Sequence, residues 1–197
     1  MIAPNWAVSP TTSAGYYRAS AASTGTAAYT LLQSNAGPNN IGYKITIVST
    51  ADDSGKTFTI VGHKMGTLPG IATTEVVTGP NTTTVNSTNY YDSVTSITPS
   101  ATTTGSIGIG VLGTSVALPR TRVKGVYYVG TATAGTVKIN LNSSTGALLL
   151  QVDTPASASV ANFVRLHDGI IIGGSNALSD IGIVTLTNVT YSTIILG

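Results

Sequence analysis

The sequence predicts an all-β protein, with two small β-sandwich or barrel-like modules preceded by an N-terminal arm, and three observations carry that prediction. Only 8% of the 197 residues are charged and none is cysteine, whereas ordinary globular domains carry about 25% charged residues. Hydroxyls and amides must therefore face the water, and threonine is at home on a half-buried pleated sheet. Apolar and polar residues alternate in short runs bounded by Gly, Pro, Asn and Asp, the pattern of strands and turns. No window sustains a helical period beyond a couple of turns.

Residues 1–40 are rich in Ala, Ser, Thr, Gly and Pro, with scattered apolar residues at Trp6, Tyr16, Tyr17, Tyr29, Leu31 and Leu32. They read as an arm with one or two short strands, and Ala19 to Thr30 is the one weak helical candidate. The first module, 41–113, contains YKITIVS, an ADDSG turn, KTFTIVG, a loop with Leu68-Pro69-Gly70, then TTEVVTG, NYYDSVTSI and GSIGIGV. The second, 114–197, contains RTRVKGVYYVG, GTVKINL, ALLLQVD, SVANFVRL, GIIIGG, IGIVTL and TYSTIIL. Strand signals recurring every 8 to 14 residues or about that fit a sandwich or barrel and not alternating βα units. Asp168-Gly169, between two apolar runs, predicts a tight hairpin, because glycine supplies the positive φ that a type I′ turn needs.

Several function classes lose support here. No apolar segment approaches the roughly 20 residues of a membrane span. The charge-free stretch from Ser93 to Pro119 is broken by Pro99, Gly105, Gly108, Gly110 and Gly113. The opening MIAPNWAVSP has neither a basic nor a continuous apolar region, so no secretory signal is expected. A net charge of +2 is not a basic field, and no nucleic-acid partner is expected. The N-glycosylation patterns at Asn81, Asn86, Asn142 and Asn188 are expected as chance matches in a chain so rich in Asn, Ser and Thr.

The motifs that imitate chemistry fail on context. Gly108, Gly110 and Gly113 form a literal G-x-G-x-x-G, yet no Asp or Glu occurs between Asp92 and Asp153 to hold a ribose. A glycine-rich strand closely approached by another backbone is expected instead. Gly55-Lys56-Thr57 imitates the end of a P-loop, but position 50 is threonine and a strand follows. Asp52 and Asp53 are too few oxygen donors for calcium and read as a solvated turn. His63 and His167, the only histidines, are expected at exposed loop positions; a relay would need a hydroxyl and a carboxylate such as Asp168 beside one of them.

Arg120, Arg122 and Lys124 alternate, which puts all three on one strand face. They read either as a charged edge that blocks edge-to-edge pairing or as a cationic strip for an acidic partner. Tyr16-Tyr17, Tyr90-Tyr91 and Tyr127-Tyr128 should each send one ring to the core and one outward. No catalytic, cofactor-binding or metal-binding residue is assigned, and no enzyme activity is expected.

Two stretches resemble tailed-bacteriophage virion proteins. SGKTFTIVGHKMGTLPGIATTEVVTGPNTTTVNSTNYYDSVTSIT is similar to a small β module of phage structural proteins, with a T-E-x-V-T-G-P-N corner and an aromatic strand ending in V-T-S-I. RTRVKGVYYVGTATAGTVKINL, with HDGIIIGG and the closing LTNVTYSTIILG, resembles the C-terminal β module found with it. The segment HKMGTLPGI departs from the usual short polar connection. The resemblance implies a particle component such as a capsid decoration (cement) protein, or a tail or fibre part. The leading expectation is a decoration protein, a homotrimer on the outer surface of the phage head whose partner is the major capsid protein, and no membrane or small-molecule substrate is expected. The resemblance carries no functional residues over. The alternatives are a tail, adaptor or fibre component and a carbohydrate- or host-surface-binding β-sandwich. The N-terminal arm is the segment expected to order on the partner.

Overall fold

The computed structural model describes residues 6–8, 12–23, 25–33, 41–68, 70–119, 121–156, 161–172 and 181–197. Every regular element among them is a strand. The chain divides into two compact units, Thr11–Gly113 on one side and Met1–Pro10 with Thr114–Gly197 on the other.

The unit Thr11–Gly113 holds β2 (Ser13–Ala21), β3 (Gly42–Ser49), β4 (Thr57–Lys64), β5 (Ala72–Thr78), β6 (Thr84–Asn86), β7 (Tyr91–Pro99) and the first part of β8 (Ile107–Leu118). Their order is β8-β3-β7-β4-β5, with β2 added on β8 and β6 on β3. The alternation read in the sequence fixes the inner face: Tyr43, Ile45 and Ile47 of β3, Phe58 and Ile60 of β4, and Ile107, Ile109 and Val111 of β8 are fully buried. On β7 the buried residues are Tyr91, Val94, Ile97 and Pro99, and up to Ile97 that spacing departs from two. Its cause is a pair of register shifts, since Val61 faces Ser96 but Gly62 faces Val94, and His63 faces Ser93 but Lys64 faces Tyr91.

The other unit is a sandwich of two four-stranded sheets. One has the order β11 (Leu148–Thr154), β10 (Gly135–Leu141), β13 (Gly182–Thr187) and the last part of β8; the other runs β1 (Trp6–Val8), β14 (Val189–Leu196), β9 (Thr121–Gly130) and β12 (Ala161–Ile172). Val123, Val126 and Tyr128 of β9 and Ile194 and Leu196 of β14 turn inward, as do Val137 and Ile139 of β10. Ile172 of β12 reaches β13, where a Cβ on Gly182 would stand 2.6 Å from its Cδ1. Glycine there makes room for the isoleucine between the sheets.

The glycine-rich run is a strand inside β8, as its lack of nucleotide-site context implied. A Cβ on Gly110 would stand 1.8 Å from the Ser13 carbonyl oxygen of β2, so the backbone of β2 lies directly over the glycine. All three tyrosine pairs divide as alternation requires: Tyr17, Tyr91 and Tyr128 are buried, while Tyr16, Tyr90 and Tyr127 are half-buried.

Four expectations are corrected. The described residues of 1–40 include the short strands expected there, but these strands do not stand apart as an arm: β1 pairs with β14 from Trp6 opposite Leu196 to Val8 opposite Ile194, and β2 pairs with β8. Tyr17 is fully buried and the Arg18 guanidinium donates to the Ile107, Ala21 and Ala22 carbonyls, so β2 is already ordered on the chain itself. The helical candidate Ala19 to Thr30 is strand up to Ala21 and irregular beyond it. Asp168-Gly169 is not a hairpin: the two runs flanking it fuse into β12. Arg165 faces Gly125 and Ile170 faces Val123, so Leu166 to Gly169 all oppose Lys124. Gly169 has φ of 72°, and the glycine serves a wide bulge instead of a turn. Finally, neither histidine is in a loop, since His63 lies in β4 and His167 in β12.

Candidate interaction surface

The scarce carboxylates of the Thr11–Gly113 unit are engaged within the chain. Asp53, predicted in a solvated turn, is buried. Its two oxygens accept from Ser49 Oγ at 2.6 Å, Lys56 Nζ at 2.5 Å, Thr104 N at 2.6 Å and Gly105 N at 3.2 Å. Burial alone would raise its pKa, but the Lys56 ammonium, the Ser49 hydroxyl and the two backbone N–H groups outweigh it and hold the carboxyl well below the usual carboxylate range. Four donors fill the lone pairs that a cation would need. Asp52 is the exposed member of the pair and accepts from Ser54 N and Oγ. Gly55-Lys56-Thr57 thus closes a turn before β4, with its lysine spent on Asp53. Among the described residues no cluster of three or more His, Asp or Glu side chains could hold a metal ion.

His63 meets a carboxylate, but a different one from the sequence candidate. A register shift frees Asp92 from strand pairing, and both its oxygens lie 2.8 Å from His63 Nδ1. Gly62 is required beside it, because a Cβ there would stand 2.3 Å from the Ser93 carbonyl oxygen. On the other side of the ring, Nε2 is 3.1 Å from the Leu68 carbonyl oxygen and 3.3 Å from Thr67 Oγ1. A carboxylate on one nitrogen and a carbonyl on the other both accept, so the ring is satisfied only with both nitrogens protonated. Burial draws the His63 pKa down, yet Asp92 and the Leu68 carbonyl overcome it and the net shift is upward. Thr67 Oγ1 donates to the Lys64 carbonyl at 2.6 Å. The dyad is therefore a clamp that ties the connection after β4 to β7.

The outer face of the β14-β9-β12 sheet combines exposed apolar and cationic side chains. Phe163 is 52% exposed, Ile171 59% and Tyr191 42%, three of the eight exposed large apolar side chains among the described residues. The rings of Tyr127 and Tyr191 meet edge to face, with centroids 6.1 Å apart. Arg122 and Lys124 lie on opposite sides of buried Val123 along β9 and so share this outer face, as their spacing predicted. Arg120 lies outside the described residues. The edge-strand reading is overturned, because β9 pairs with β14 on one side and β12 on the other. Arg165 and His167 of β12 add to the strip and are exposed.

The bulge at 166–169 shapes this face. Where it lifts β12 away from regular pairing it leaves a hollow of about 390 Å³ lined by Lys124, Phe163, Arg165, Leu166, His167 and Ile195. The Phe163 ring leans over Gly125, where a Cβ would come within 3.0 Å of its Cε2 and Cζ. Sequence reasoning found Arg122 and Lys124 but missed Phe163, Arg165 and the hollow. Their one signal was the Asp-Gly dipeptide, which marks positive φ equally in a turn and in a bulge.

The chain matches no family model, no curated protein and no solved structure.

Proposed function

We propose that the chain is a virion structural protein of a tailed bacteriophage, a capsid decoration protein that binds the major capsid protein on the outer surface of the head as a homotrimer. The observation that carries the reading is the exposed Phe163, Ile171 and Tyr191 face with its arginines, set on a body of low charge. Aromatic and arginine side chains are enriched at the energetic centres of protein interfaces. The resemblance of Ser54–Thr98 and of the segments in Arg120–Gly197 to phage β modules supports a particle component, and the trimer and the head location are part of the proposal. A hydroxyl-rich surface costs less to strip of water than a charged one, and a net charge near zero permits close association. Stabilisation follows from mass action, because a protein that binds the assembled shell and not its dissociated parts shifts the equilibrium toward the shell.

The test is addition of the purified chain to isolated phage heads lacking it, followed by sedimentation and thermal disruption. Saturable co-sedimentation with a raised disruption temperature is expected; heads that neither retain the chain nor gain stability exclude it. A sugar-binding reading draws on the same Phe163 and Tyr191, since flat rings stack on sugars. It predicts glycan-array binding abolished by F163A, and a blank array removes it.

A further inference from the structure

We infer that the outer face of the β14-β9-β12 sheet is the docking surface for an acidic segment of another protein, whose Asp or Glu side chains pair with Lys124 and Arg165 while an apolar side chain enters the hollow beside Phe163. The inference rests on the proposed function only for the name of that protein, the capsid subunit; the chemistry of the segment comes from the face itself.

Charge complementarity selects the occupant. The ion pairs among the described residues are Lys56 with Asp53 and His63 with Asp92, so Arg122, Lys124 and Arg165 carry their charge toward solvent with no carboxylate within 4.0 Å. Along β1, β14, β9 and β12 the single acidic residue is Asp168, in the bulge. A second copy of this chain is a poor source of the missing carboxylates. Among its described carboxylates Asp53, Glu75 and Asp92 are already held by donors of their own chain, Asp52 by Ser54 and Asp153 by Gln151, and the exposed Asp168 sits within the cationic face itself.

Nucleic acid fits less well than acidic protein. A phosphate-tracking surface is dominated by positive charge and gains affinity by releasing counterions. Here three cations share the face with Phe163, Ile171, Tyr191 and Ile195, whose apolar area a phosphate backbone leaves wet. The pairing register puts Arg165 opposite Gly125 and Gly125 opposite Ile195, so a guanidinium and an isoleucine flank a glycine over which the Phe163 ring leans. Charge there sets the register of docking and the apolar hollow resists dissociation.

The ¹⁵N-labelled full chain titrated with a short blocked peptide alternating Glu and Val tests this directly, with a Lys–Val peptide and a thymidine oligonucleotide of equal charge number as comparisons. Saturable shifts are expected at Lys124, Phe163, Arg165 and Ile195 with the Glu peptide alone. K124E/R165E should weaken binding roughly tenfold or more while unperturbed amide resonances of β10 and β13, in the same unit as the substitutions, show that the variant is folded. No shift at this face, or equal binding by the Lys peptide, overturns the inference; tighter binding by the oligonucleotide assigns the face to nucleic acid and overturns it too. Heads decorated equally by wild type and K124E/R165E would leave the decoration reading standing and remove this face from it. Peptide binding without head binding would do the reverse.

Discussion

Three of the four acidic side chains of the first unit tie together segments distant in sequence. Asp53 joins the turn before β4 to Thr104 and Gly105, Glu75 accepts from Thr88 N, Asn89 N and the Tyr91 hydroxyl, and Asp92 clamps His63. Asp53→Asn keeps one acceptor oxygen but aims an amide N–H₂ at the Lys56 ammonium or a backbone N–H. We expect a loss of about 3 kcal/mol, measured by denaturant unfolding. Because the native pKa of Asp53 is depressed, its contribution is present above the ordinary carboxylate pKa of about 3.9 and fades as pH falls below it. The gap between wild type and Asp53→Asn should therefore narrow on acidification; a constant gap would mean that the charge is not what stabilises. His63 has the opposite sign. Its pKa is raised, so its contribution is full below about 6.5 and is lost as pH rises through the native value. An NMR titration should put the His63 midpoint above that of Asp92→Asn, and coincident midpoints would contradict the clamp.

At the scale of elements, most strands were legible because alternation reports directly on a two-faced sheet. GTVKINL became β10 residue for residue, and YKITIVS became β3 with Gly42 added in front. What alternation cannot encode is a change of register. The Asp92 and Thr95 shifts on β7, the long bulge in β12 and the passage of β8 beyond Gly113 to Leu118 all depend on which strand lies alongside. Those same irregularities aim His63 at Asp92 and open the hollow beside Phe163, so the site was less legible than the fold. Two glycines test this. Gly110→Ala must displace the β2 backbone, and a cost of about 2–3 kcal/mol with faster amide exchange in β2 is expected. Gly169→Ala forces alanine into positive φ and presses on the Arg122 side chain and the Val123 carbonyl. It should cost about 1–2 kcal/mol and shift amide resonances around Lys124 and Arg165; unchanged resonances there would separate the bulge from the hollow.

For the molecule as a whole, the low charge has a specific distribution. Carboxylates and their cationic partners tie segments of the Thr11–Gly113 unit together, while Arg122, Lys124 and Arg165 lie with aromatic residues on one sheet of the other unit. Neutral hydroxyl-bearing surface covers much of the rest, which suits a protein that docks on a large assembly. The N-terminal region is part of this body: removing residues 1–30 takes away Tyr17 and the strand over Gly110, and it should unfold the Thr11–Gly113 unit instead of merely weakening binding. A cryo-EM reconstruction of the native phage particle tests the proposal most directly. It should place threefold clusters of this chain over the outer head surface, with the β14-β9-β12 face against an acidic segment of the capsid subunit. Density confined to the tail, or copies on the head that leave Phe163 and Arg165 facing solvent, would contradict it.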